Sequence, residues 1–145
     1  MIVLKTKDIC EALKIKRHQL RAWTEALQPY CNQSTQERSA RKFDTGDLLF
    51  FAVIQYVERK FGISISVLSE ASQSLNDLIR SPRIMNDKEV IFLDIESKRY
   101  LMADTVEQGV EGIYIDSSKA KRLVCNFLGV IPNQSQFYLG LAKVS

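Results

Sequence analysis

The sequence predicts an α+β fold: a winged helix-turn-helix of about four helices, followed by a small antiparallel sheet with a packed helix. Three observations predict it. Apolar residues recur at three- and four-residue steps as far as Arg80, which is helical spacing. From Glu89 onward, short β-branched and aromatic runs take their place. Between the two lies Ser81-Pro82, a break that sets the expected boundary between a domain over residues 1–81 and one over 82–145. At 46% hydrophobic and 26% charged, the 145 residues can build a real core.

Taken in order, the first helix is capped by Thr6, with Asp8 in its first turn and Ile9, Ala12 and Leu13 on its inner face. The pattern restarts after Lys14. Ile15, Leu20, Trp23, Ala26 and Leu27 then form the inner stripe of a second helix, whose outer face carries Lys16, Arg17, His18, Gln19 and Arg21. An apolar back and a donor-rich front suit a DNA major groove, where Arg and Gln read purine edges and Lys meets phosphate. The turn departs from the usual form: Lys14 stands where Gly is common, and Lys16 stands where a Ser or Thr cap is expected. A solvated basic helix is the plain alternative for such a face.

Pro29 stops the second helix. The polar, basic stretch that follows, Cys31 to Phe43, is expected to form a wing carrying Arg38, Arg41 and Lys42 to phosphates or the minor groove. Asp44 or Thr45 caps a third helix whose wide apolar face includes Leu48, Leu49, Phe51, Ala52 and Ile54, with Gly62 as its stop. A fourth helix starts at Ser64 or Ser66 and buries Ile65, Leu68, Ala71, Leu75 and Leu78.

Charge follows this division. Residues 1–42 hold nine basic and four acidic residues, a net of +5, whereas residues 43–145 sum to −2, within a total of +3. Such asymmetry fits a nucleic-acid-facing part joined to a separate part. Three cysteines without a CxxC pair, and a single histidine, give no zinc-type spacing, so no metal or cofactor is expected. No Gly-rich phosphate loop, nucleophile elbow or Cys/His pairing is present, so no enzymatic activity is expected. Without an apolar signal region or a membrane-length apolar run, the expectation is a soluble, cytoplasmic protein.

An ordered set of residues carries a family resemblance. Gln19-Leu20-Arg21-Ala22-Trp23 lies in the second helix, Arg41-Lys42-Phe43-Asp44-Thr45-Gly46-Asp47-Leu48 follows the wing, and Phe61-Gly62-Ile63-Ser64-Ile65 forms a hinge into the fourth helix. Together these resemble the MerR family of transcriptional regulators, over about residues 4–80. The resemblance implies that the second helix enters the major groove and that the wing arginine and its neighbouring aromatic grip the backbone. It thereby implies roles for Arg17, His18, Arg21, Arg41 and Phe43. Ala22 stands where the family usually has an aromatic, and Phe43 where it has a tyrosine, losing a hydroxyl that could bond phosphate. Pro82 also cuts the chain where metal- and drug-sensing members continue into a long dimerisation helix, which disfavours metal sensing.

After the break, Glu89–Ile95 reads as a strand, Lys98–Ala103 as its hairpin partner, and Gly112–Asp116 as a third strand. A helix capped by Ser117 or Ser118 and stopped by Gly129 turns Ala120, Leu123, Val124, Phe127 and Leu128 inward, and Phe137–Val144 reads as a last strand. Dimerisation is the expected task of this unit, because single-helix DNA readers gain specificity from two copies on a symmetric site. The expected function is therefore a dimeric, sequence-specific regulator bound to double-stranded DNA, with the set Lys16, Arg17, His18, Gln19, Arg21, Arg38, Arg41, Lys42 and Phe43 as its contacts. An excisionase-like architectural protein and a protein–protein adaptor are the alternatives. Any small-molecule effector is left open.

Overall fold

A computed structural model describes residues 2–32, 41–81 and 89–129 of the chain. It is mixed α+β. A short strand β1 (Leu4–Lys5) leads into helix α1 (Thr6–Leu13), a turn and helix α2 (Arg17–Ala26). A 3-10 turn at Tyr30–Asn32 and strand β2 (Lys42–Phe43) precede the long helices α3 (Thr45–Phe61) and α4 (Ile65–Arg80). Strands β3 (Val90–Asp94), β4 (Arg99–Met102) and β5 (Gly112–Asp116) then lead to helix α5 (Ser118–Leu128).

Local chemistry explains the helix ends. Lys5, not Thr6, takes the N-cap of α1, where the Asp8 carboxylate accepts the Lys5 N–H at 2.8 Å. Helix α3 has a reciprocal capping box: Asp44 accepts the Asp47 N–H and Asp47 accepts the Asp44 N–H, at 2.9 and 2.8 Å. Gly62 ends α3 in the left-handed region at φ 66°, as its position predicts. The central helix α3 is buried almost all round, because α1, α4 and α5 pack on it and Trp23 of α2 covers Phe51. Trp23 stacks on Phe51 with ring centroids 5.9 Å apart, and Tyr30 tilts against the same ring at 4.8 Å.

The sheet is antiparallel in the order β4-β3-β5. Ile91, Leu93, Tyr100 and Ile115 point to its inner face and join one hydrophobic core with Leu20, Phe51, Leu75 and Val124. The core is thus continuous across the break at residues 81–82. Helix α4 lies along β4, and Ser74 Oγ accepts the Tyr100 N–H at 2.8 Å, covering that edge of the sheet. Gly112 sits where a Cβ would meet the Leu93 carbonyl at 2.2 Å and the Phe92 ring at 2.4 Å, so only glycine fits. A buried ion pair, Lys121 Nζ to Glu89 Oε1 at 3.2 Å, ties α5 to the start of β3. The expected strand over Phe137–Val144 lies outside the described residues.

Candidate nucleic-acid interface

Helix α2 divides as its spacing requires. Leu20, Trp23 and Leu27 are buried, worth about 2 kcal/mol for each leucine. Lys16, Arg17, His18, Gln19 and Arg21 are all exposed. None of Lys16, Arg17, His18 and Arg21 forms an ion pair among the described residues.

What presents this row is a fixed turn. Lys14 adopts the left-handed conformation at φ 56°, the task usually given to glycine, and the Ile15 N–H donates to the Cys10 carbonyl at 3.0 Å. Gln55 of α3 donates from Nε2 to the Leu13 carbonyl at 2.9 Å, satisfying a buried acceptor at the end of α1. At the far end of α2, the Gln28 N–H donates to Ser72 Oγ of α4 at 2.8 Å. The turn and the C-terminal end of α2 are therefore both tied to the long helices.

Gln19 is placed differently from the expected base reader. Its Oε1 accepts the Lys16 N–H at 2.8 Å, closing the N-terminus of α2 where a Ser or Thr cap is missing. A bidentate grip on adenine needs that oxygen, so the capping geometry and base reading compete.

Phe43, expected at the interface, faces the core instead. It is only 4% exposed and packs against Tyr30 and Phe51, with ring centroids 6.3 and 5.9 Å away. Its strand explains this: β2 pairs with β1 in the register Leu4↔Phe43 and Lys5↔Lys42, and successive side chains on a strand point to opposite faces. Lys42 is outward and exposed, so Phe43 is inward and unavailable to DNA. The same pairing sets Lys5 directly opposite Lys42. Like charges in that arrangement repel, and an anion beside them relieves the repulsion. Lys5 gave no signal in the sequence, because its partner lies 37 positions away. Arg41 is half-buried, and Arg38 lies outside the described residues together with most of the expected wing.

Behind the interface, Arg80 at the end of α4 reaches the start of α3. Its guanidinium donates to both oxygens of Asp44 and to Asp47 Oδ1, each at 2.8 Å, and Tyr30 donates its hydroxyl to the same Asp47 oxygen. Burial alone would raise the Asp44 pKa, but the Arg80 hydrogen bonds and the Asp47 N–H hold it below the ordinary carboxylate value. Burial dominates at Asp47 and raises its pKa, with the nearby Asp44 charge adding to the shift. Burial also raises the Tyr30 pKa, so the phenol stays a donor.

Among the described residues no group of three or more His, Cys, Asp or Glu side chains is placed to hold a metal ion. Nor is any described helix long and apolar enough to cross a membrane. Burial raises the thiol pKa values of Cys10 and Cys125. Compared with models of known protein families and with curated proteins, the chain matches neither.

Proposed function

We propose that the protein is a sequence-specific DNA-binding regulator of transcription, acting as a dimer, with α2 in the major groove and a MerR-like amino-terminal part. One observation carries this reading: α2 and its N-cap expose Lys16, Arg17, His18 and Arg21 without ion-pair partners among the described residues, on a helix whose back, preceding turn and C-terminal end are fixed. Rigid presentation is what base-edge contact needs, since a loose helix loses affinity to ordering. The facing lysines Lys5 and Lys42 support the same reading, because neither ammonium is in an ion pair among the described residues and both could meet a phosphate.

Architectural binding is the second reading, and the commitment of Gln19 to capping favours it by leaving fewer base readers. Binding to mixed genomic fragments across a salt series tests both. A regulator retains a preferred fragment as salt rises, and Arg17→Ala and Arg21→Ala each cost roughly 1–3 kcal/mol on it where they touch a base. Steep salt loss with no preferred fragment favours the architectural reading. Unchanged binding in both variants would remove α2 from the interface.

A further inference from the structure

Helix α5 belongs to the part of the chain expected to serve dimerisation, yet it lies against α1 and α3. Between α1 and α5 runs an open groove of about 540 Å³, with the exposed cations Lys14, Lys119 and Arg122 at its rim and Glu11, Leu123 and Phe127 also in its lining. All three rim cations are exposed, and none forms an ion pair among the described residues. Two acids lie nearby, and the charge of Asp116 is close enough to Lys119 and Arg122 to interact with both without forming an ion pair. Glu11 lies 4.0 Å from Lys7, and the Asp116 carboxylate accepts the Ser118 N–H at 2.9 Å.

Position tells what this rim faces. Lys14 is the turn residue, three steps before Arg17, so their Cα atoms are at most about 11 Å apart. A duplex whose major groove, about 12 Å wide, holds the start of α2 must carry one phosphate strand past that turn. Long side chains at the groove rim then meet that strand. We infer that Lys119 and Arg122 of α5, with Lys14, form a second phosphate-binding surface that extends the DNA interface beyond the helix-turn-helix. The inference rests on the reading of α2 as the DNA-contacting helix. It gives the carboxy-terminal unit a direct share in DNA binding.

The test compares salt dependence of binding to a random-sequence duplex for the full chain, Lys119→Gln/Arg122→Gln, Lys119→Arg/Arg122→Lys and Arg17→Ala/Arg21→Ala. Circular dichroism verifies the fold of each. The log–log salt slope is expected to fall by about 2 in Lys119→Gln/Arg122→Gln, roughly one for each phosphate released. The charge-preserving variant is expected to keep the full slope. Should Arg17→Ala/Arg21→Ala weaken binding while Lys119→Gln/Arg122→Gln keeps the parent slope, the inference is overturned and the α2 reading stands. The groove would then face something other than DNA, such as an acidic peptide. If Arg17→Ala/Arg21→Ala binds like the parent, the α2 reading itself fails and the inference falls with it.

Discussion

Lys14 joins two demands in one residue. A lysine in the left-handed region is strained relative to glycine, by about 1 kcal/mol. Lys14→Gly is therefore expected to raise the unfolding free energy by roughly 0.5–1 kcal/mol in urea denaturation, while DNA affinity falls because a rim cation is gone. Stability and affinity moving in opposite directions is a signature that a purely structural lysine would not give. A loss of stability in Lys14→Gly would show instead that the lysine side chain holds the turn. At this scale the sequence shows a side chain's place where neighbours decide it and hides it where partners are remote. The buried face of α2 follows from spacing alone, and Trp23 is in the core as expected. The inward direction of Phe43 depends on pairing with Leu4, which no local pattern reveals. The exposure of Gln19 is local, and so is its capping role, because a Gln three residues after the N-cap can accept the N-cap N–H whatever residue stands at position 16.

Between elements, the joint that matters most is the Arg80 clamp across α3 and α4. Removing one partner of a half-buried ion pair leaves partly uncompensated charge, so Arg80→Met is expected to cost roughly 1–3 kcal/mol at pH 7. The pH dependence gives a sharper check. In the parent chain the Asp44 pKa is lowered, so the stability it contributes is present above the ordinary value of 3.8 and is lost as pH falls. Without Arg80 both carboxylates lose their cation, keeping only the capping N–H groups and the Tyr30 hydroxyl as donors, and their folded pKa values rise. Protonation then relieves the fold, so the deficit of Arg80→Met is expected to shrink between pH 7 and pH 4. Urea midpoints at the two pH values measure it; a constant deficit would mean that Arg80 acts by packing rather than by charge. The helices, the strands Val90–Asp94, Arg99–Met102 and Gly112–Asp116, and the stops at Gly62 and Gly129 were all legible, because caps, glycines and periodicity are local signals. Arg80, Ser74 with Tyr100, and Glu89 with Lys121 were not, since each joins residues 26 or more positions apart.

For the whole molecule, the chain builds one core in which the sheet and α5 pack onto the helix-turn-helix and its supporting helices. The expected division at residues 81–82 follows a true change in composition, but hydrophobic surface on both sides is shared rather than separate. This sharing brings Lys119 and Arg122 beside Lys14, and it could not be foreseen from charge along the chain, where residues 43–145 are net acidic. The resulting molecule presents α2 at the front, the paired lysines of β1 and β2 at the start of α1, and the basic rim of α5 beside the turn. The central claim is that α2 occupies the major groove, and guanine N7 lies on the floor of that groove. The most direct measurement is therefore N7 methylation protection on the preferred DNA fragment, with Arg21→Ala as the comparison. Protection is expected in two patches about 10 base pairs apart, one for each protomer of a dimer, and Arg21→Ala is expected to lose protection at particular guanines within each patch. A bound complex whose guanines remain as reactive as in free DNA would contradict major-groove entry by α2.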